Sequence, residues 1–164
     1  MIDINNYIIE KLHLNKNIKK QYRYCPENKE QLRELLHQLF RERGNEADLN
    51  DIDVSKITDM SSLFESSEYI FMNFDISEWD VSNVTNMTEM FSDCGKFNCD
   101  ISSWDVSNVK YMNYMFYGCE LFEQDLSKWD VSNVKRWNGF CELSKLSLVK
   151  NQHLKPKFNW DNVK

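Results

Sequence analysis

One six-residue phrase, Trp-Asp-Val-Ser-Asn-Val, returns three times at a fixed interval, and this constrains the chain more than anything else in it. DISEWDVSNVTNMTEMF from Asp75, DISSWDVSNVKYMNYMF from Asp100 and DLSKWDVSNVKRWNGFC from Asp125 align without gaps, each 25 residues after the last. Trp79, Trp104 and Trp129 correspond, as do Val81, Val106 and Val131, and Asn83, Asn108 and Asn133. An earlier copy, DLNDIDVSKITDMSSLF from Asp48, lies 27 residues ahead, with Ile52 where the others have Trp. The two extra residues fall within the segment 66–74, and a degraded echo, FNWDNV, occupies 158–163. A fixed period of this length marks stacked units, none of which can bury its apolar face alone.

Each unit is expected to be one coil. The Trp-Asp-Val stretch is aromatic and β-branched, as strands are, and the following Ser-Asn is a natural helix N-cap pair. Val84, Met87, Met90 and Phe91 then fall on one face of a short helix. The expected fold is therefore an α/β repeat, a right-handed leucine-rich-repeat-like solenoid with a short strand and a short helix per coil and Trp, Val, Met and Phe in inner ladders. Three regions follow: a helical N-terminal cap over 1–47, four coils over 48–141 and a C-terminal cap over 142–164. In the first, ENKEQLRELLHQLFRER places Leu32, Leu35, Leu36, Leu39 and Phe40 on one helical face, with Pro26 at its first position and Gly44 at its stop. A shorter helix is expected from Asp3 to Leu12, a strand from Lys19 to Tyr24, and a cover for the last coil from Leu143, Leu146, Leu148 and Val149.

The phrases DISxWDVSNV and NMxxMF with a following Cys resemble the BspA-like leucine-rich-repeat family, including its mycoplasma-lipoprotein-type repeats. The resemblance covers residues 48–141. It implies a leucine-rich-repeat solenoid used for adhesion or protein binding, and no catalytic residues.

Charge narrows the choice of partner. Residues 1–47 carry nine Lys/Arg and seven Asp/Glu, residues 48–141 six against seventeen, and residues 142–164 five against two. The acidic middle repels phosphates and attracts a basic surface, so no direct contact with nucleic acid is expected. MIDINNYIIEKLHL has no secretory pattern, and no stretch approaches a membrane span. A cytoplasmic protein without membrane contact is expected, with its oligomeric state open. The five cysteines show no zinc spacing and read as reduced, mostly buried thiols.

The rows Asp48, Asp75, Asp100, Asp125 and Asp53, Asp80, Asp105, Asp130 have two readings: calcium held between coils, or carboxylates accepting hydrogen bonds from turn backbone. The second is preferred, because the chain has no glycine-rich calcium repeat, and no metal or cofactor is expected. The three histidines lie outside the repeats, no phosphate-binding glycine loop exists, and the protein is expected not to be an enzyme. Positions that vary between copies decorate a constant scaffold. They nominate Tyr111, Tyr114 and Tyr117, spaced by three, and Arg136 as partner-binding residues. The insertion SSEYIFMNF adds Tyr69 and Phe71. A third group, Lys16, Lys19, Lys20, Tyr22, Arg23 and Tyr24, interleaves basic and aromatic residues. The functional expectation is a non-enzymatic protein-binding repeat module. One alternative is an inhibitor, carried by a phage or mobile element and anti-CRISPR-like, that blocks a basic nucleic-acid-binding defence enzyme through its acidic coils. The other is a fragment of a bacterial surface adhesin.

Overall fold

The computed structural model describes residues 22–64 and 69–158. The expected helix from Asp3 to Leu12 and Lys16, Lys19 and Lys20 lie outside these residues, as does the echo beyond Phe158. Within them, helix α1 spans Lys29–Arg43, and two 3-10 helices span Lys145–Ser147 and Val149–Leu154. No strand occurs among the described residues, only isolated parallel bridges. The expected alternation of short strand and short helix is therefore overturned, and with it the α/β, leucine-rich-repeat-like solenoid.

Tight turns take their place. Backbone N–H groups bond back three residues from Trp79 to Ile76, Val84 to Val81, Met90 to Met87, Cys94 to Phe91 and Phe97 to Cys94. The same bonds recur from Trp104 to Ile101, Val109 to Val106, Met115 to Met112, Cys119 to Phe116 and Phe122 to Cys119. Each turn brings one apolar side chain inward, so apolar residues recur about every three positions without a helix. Helix growth is blocked by left-handed residues at matching places: Ser62, Glu89, Tyr114 and Gly139 at φ 50, 58, 53 and 62°, then Asp93, Gly118 and Leu143 at 61, 67 and 58°. A left-handed residue breaks the helical ladder, and each non-glycine one costs roughly 1 to 2 kcal/mol that packing must offset.

Successive copies are joined residue to equivalent residue. Parallel bridges link Asp59 to Asn86, Asn86 to Tyr111 and Tyr111 to Arg136. Asn83, Asn108 and Asn133 each donate a side-chain amide to the preceding copy, at Ser55, Ser82 and Ser107 carbonyls, over 2.7 to 2.9 Å. The Trp79, Trp104 and Trp129 indoles are buried and donate to Leu49, Ile76 and Ile101 carbonyls at 3.0 to 3.3 Å. Phe64, Phe91 and Phe116 stack nearly parallel at 5.4 to 5.5 Å between centroids.

Helix α1 closes one end. Asn28 caps it, its side chain accepting from the Gln31 N–H, so Pro26 lies before the cap and not at the first helical position. Gly44, at φ 79°, returns its N–H to Phe40 and ends the helix. Leu32, Leu36, Leu39 and Phe40 are buried, and Leu35 only partly so. Phe40 meets Phe64, Tyr69 and Phe74, while Arg33 donates to the Ser62 carbonyl and Arg43 pairs through both nitrogens with Asp51. At the other end Leu146 is buried, but Leu143, Leu148 and Val149 are exposed. That cover is made instead by Leu146 and by Phe158, whose ring stacks on Trp137 at 5.0 Å.

Candidate binding surface

Both aspartate rows are built into turns. Asp48 accepts from the Asn50 N–H, and Asp53, Asp75, Asp80, Asp100, Asp105, Asp125 and Asp130 each accept from the N–H of the serine two residues on, all at 2.9 to 3.1 Å. No group of three or more metal-ligating side chains occurs among the described residues. Hydrogen bonds from the serine hydroxyls, and next these backbone turn bonds, hold Asp100, Asp105, Asp125 and Asp130 below the ordinary aspartate value of 3.8, although Asp130 pushes Asp105 back up. Asp51 is lowered mainly by its hydrogen bonds from Arg43.

A carboxylate with a depressed folded-state pKa contributes stability that is present above its unfolded value and lost as pH falls through the folded value. Stability should accordingly stay level from neutral pH to about 5 and fall as the medium is acidified below about 4. Exchanging Asp100, Asp105, Asp125 and Asp130 together for Asn keeps the acceptor oxygen and removes the titration. Urea midpoints followed from pH 6 to pH 2 should decline less in this variant; an unchanged decline would place the acid sensitivity elsewhere.

The thiols are unpaired by disulfides, and Cys94, Cys119 and Cys141 are buried. Cys94 and Cys119 donate to the Phe64 and Phe91 carbonyls of the preceding copy. Burial raises both thiols well above the ordinary range and pushes Cys99 up to about 11, so none of the three is a ready nucleophile.

The nominated partner-binding residues separate into three settings. Tyr69 is 2% exposed, its ring against Phe40 and Phe64 and its hydroxyl 3.4 Å from His37, which makes it core and not surface. Phe71 is 65% exposed, with the Lys96 ammonium 5.7 Å from its ring centre. Tyr111, Tyr114, Tyr117 and Arg136 form the third setting. Tyr111 bridges to Asn86 on one side and Arg136 on the other and is 36% exposed. Tyr114 is 40% exposed and Tyr117 half-buried, their rings edge to face at 5.9 Å.

Tyr114 owes its position to a glycine. A Cβ on Gly139 would stand 2.3 Å from two carbons of the Tyr114 ring, so only glycine in the next copy lets the ring lie flat there. The ring walls a shallow groove of about 480 Å3, completed by Glu89, Asn113, Lys135, Arg136 and Trp137. An aromatic wall with acidic and basic groups facing one opening suits a polypeptide better than a small apolar ligand. Sequence spacing nominated the tyrosines and matched Glu89 and Gly139 to Tyr114 as varying positions; the parts these two play depend on contact between copies. Tyr24, from the basic-aromatic group, is engaged structurally: its N–H bonds to Asp51, and the Arg23 and Arg43 guanidiniums lie 5.3 and 5.8 Å from its ring.

The model of a protein family described as "Mycoplasma protein of unknown function, DUF285" matches residues 34–153, well over half of the chain. The chain belongs to this family. The DUF285 region takes in most of α1, all four copies of the repeat and nearly all of the second 3-10 helix. The tyrosine groove and the buried face of α1 from Leu36 onward are thus parts of the family unit, while Tyr24 precedes it. Comparison with curated proteins and with solved structures finds no match.

Proposed function

We propose that this DUF285 protein is a non-catalytic protein-binding module that engages its partner through the groove lined by Tyr114 and Arg136 together with the exposed Tyr111, which is bridged to Arg136. One observation carries the reading: the backbone at these positions is held as in the neighbouring copies, yet the side chains differ from copy to copy. Where Tyr114 stands, the flanking copies have Glu89 and Gly139, all three left-handed. A constant frame with changing side chains is the pattern of a recognition surface. The finer likeness to BspA-like repeat sequences supports the same reading, since adhesion and protein binding are the roles that likeness implies.

The test is paired capture from bacterial lysate with the wild-type chain and a Tyr111→Ala/Tyr114→Ala/Tyr117→Ala variant. The expected result is a protein retained by the wild type and depleted at least tenfold by the variant, since aromatic anchors contribute about 1.4 kcal/mol or more. The variant should keep its urea midpoint to within about 0.2 M. Equal retention by both chains, or by neither, would overturn the reading. A second reading, inhibition of a basic nucleic-acid-binding enzyme, is favoured by the exposed row Asp80, Asp105 and Asp130. It would show in the same experiment as capture that weakens steeply with salt and ignores the tyrosines.

A further inference from the structure

Over residues 60–64 and their equivalents, backbone bonding between copies runs one way, from each copy to the next, and this row ends with donors. Met60, Ser62 and Phe64 donate their backbone N–H to the Asn86, Thr88 and Met90 carbonyls of the following copy. Met87, Glu89, Phe91 and Asp93 donate to Tyr111, Asn113, Met115 and Tyr117. Met112, Tyr114, Phe116 and Gly118 donate to Arg136, Asn138, Phe140 and Glu142. All eleven bonds measure 2.8 to 3.0 Å. In the last copy three of the four equivalent N–H groups, those of Gly139, Cys141 and Leu143, meet no backbone carbonyl among the described residues.

Beside this edge lies a pocket of about 600 Å3 lined by Gly139 and Cys141, by the rings of Trp137, Phe140 and Phe158, and by Lys155 and Lys157. Its described lining also includes Glu142 and His153. Donors at every second residue call for a backbone offering carbonyls at the same spacing, as Thr88 and Met90 offer them to Ser62 and Phe64. The rings call for an apolar side chain. The two lysines, on an otherwise acidic molecule, call for carboxylates.

We infer that this edge is a docking site for an acidic peptide of another protein, which adds one more row to the stack and seats an apolar residue between its carboxylates. The site is separate from the tyrosine groove and does not depend on it. The repeat itself supplies a suitable probe: TEMFSD, the sequence of residues 88–93, carries two carboxylates flanking Met-Phe.

The experiment is amide hydrogen exchange by NMR on the full chain, with and without the blocked TEMFSD peptide. Without peptide, the amides of Gly139, Cys141 and Leu143 should exchange at least a hundredfold faster than those of Tyr114, Phe116 and Gly118. Peptide should slow them. Lys155→Glu/Lys157→Glu should weaken peptide binding by about tenfold, TKMFSK should fail to bind, and Tyr111→Ala/Tyr114→Ala should leave binding unchanged. Three outcomes would overturn the inference: protection of the three amides before any peptide is added, which would mean that the chain fills its own edge; no protection by the peptide; or equal protection by inorganic phosphate alone, which would mark a simple anion site.

Discussion

Replacing Trp104 with Ala should destabilise the protein by about 3 to 5 kcal/mol, the range for a truncated buried aromatic. The indole is 5% exposed and stands in the middle of the stack, with an equivalent Trp in the copy on either side. Two losses combine. The void left by the ring cannot be closed, because the backbone on each side is fixed by bonds to its neighbours and Phe91 lies 6.3 Å away in centroid distance. The Ile76 carbonyl also loses its indole donor. Trp104→Phe restores most of the volume but not the donor and should recover more than half of the loss. Urea denaturation at constant m-value gives the comparison. A loss under 1 kcal/mol for Trp104→Ala would mean that the ring is not core, and the Trp row would then be a ligand surface.

The second large effect is expected at the capped end. Phe40 joins α1 to the stack through Phe64, Tyr69 and Phe74, with ring centres 5.2 to 6.4 Å away. Phe40→Ala should cost about 3 kcal/mol. Unlike Trp104→Ala, it should also cause concentration-dependent association, because loosening α1 uncovers Phe64 and the backbone edge of the first copy. Arg41→Ala, on the exposed side of the same helix, should leave both readouts unchanged. Urea midpoints and sedimentation at several concentrations separate the cases. A Phe40→Ala protein that stays monomeric with an unaltered midpoint would show that α1 is not a cap, and its leucines would become the strongest candidate for partner contact.

The parts of this structure that the sequence discloses are those that depend on identity and spacing alone. Three copies of Trp-Asp-Val-Ser-Asn-Val put the Trp indoles in register, and the leucines of α1 recur at a helical interval. The carboxylates of Asp75, Asp100 and Asp125 sit two residues before a serine, the signature of a side-chain-closed turn. The local conformation was misleading for a physical reason. Val84, Met87, Met90 and Phe91 have a spacing that a short helix and a run of three-residue turns share, and only the left-handed backbone at Glu89 and Asp93 decides between them. Neither residue announces that conformation, since it is imposed by bonds to Asn113 and Tyr117 in the next copy. Trp-Asp-Val reads as a strand by composition, but its residues carry no bridge in any of the three copies; the single bridges fall instead at Asp75, Asn86, Tyr111 and Arg136. The same dependence on neighbours hid part of the binding surface. Tyr69 looks like a surface anchor in the insertion until Phe40 is placed over it, and Gly139 looks like a plain turn residue until Tyr114 is laid on it.

Bonding between equivalent positions also sets how a chain of this kind can change length. A single inserted or deleted residue inside a copy would move every later donor off its acceptor and turn inward side chains outward. Removing residues 100–124 as a block would instead bring Asp125 to the place of Asp100, with the donors of one copy again facing the acceptors of the next. Growth and loss are therefore quantised in whole copies. The irregularity of two extra residues between Phe64 and Ile70 leaves the register intact on either side: Phe64 bonds to Met90 as Phe91 bonds to Met115, and Ile70 accepts from Lys96 as Gly95 accepts from Leu121.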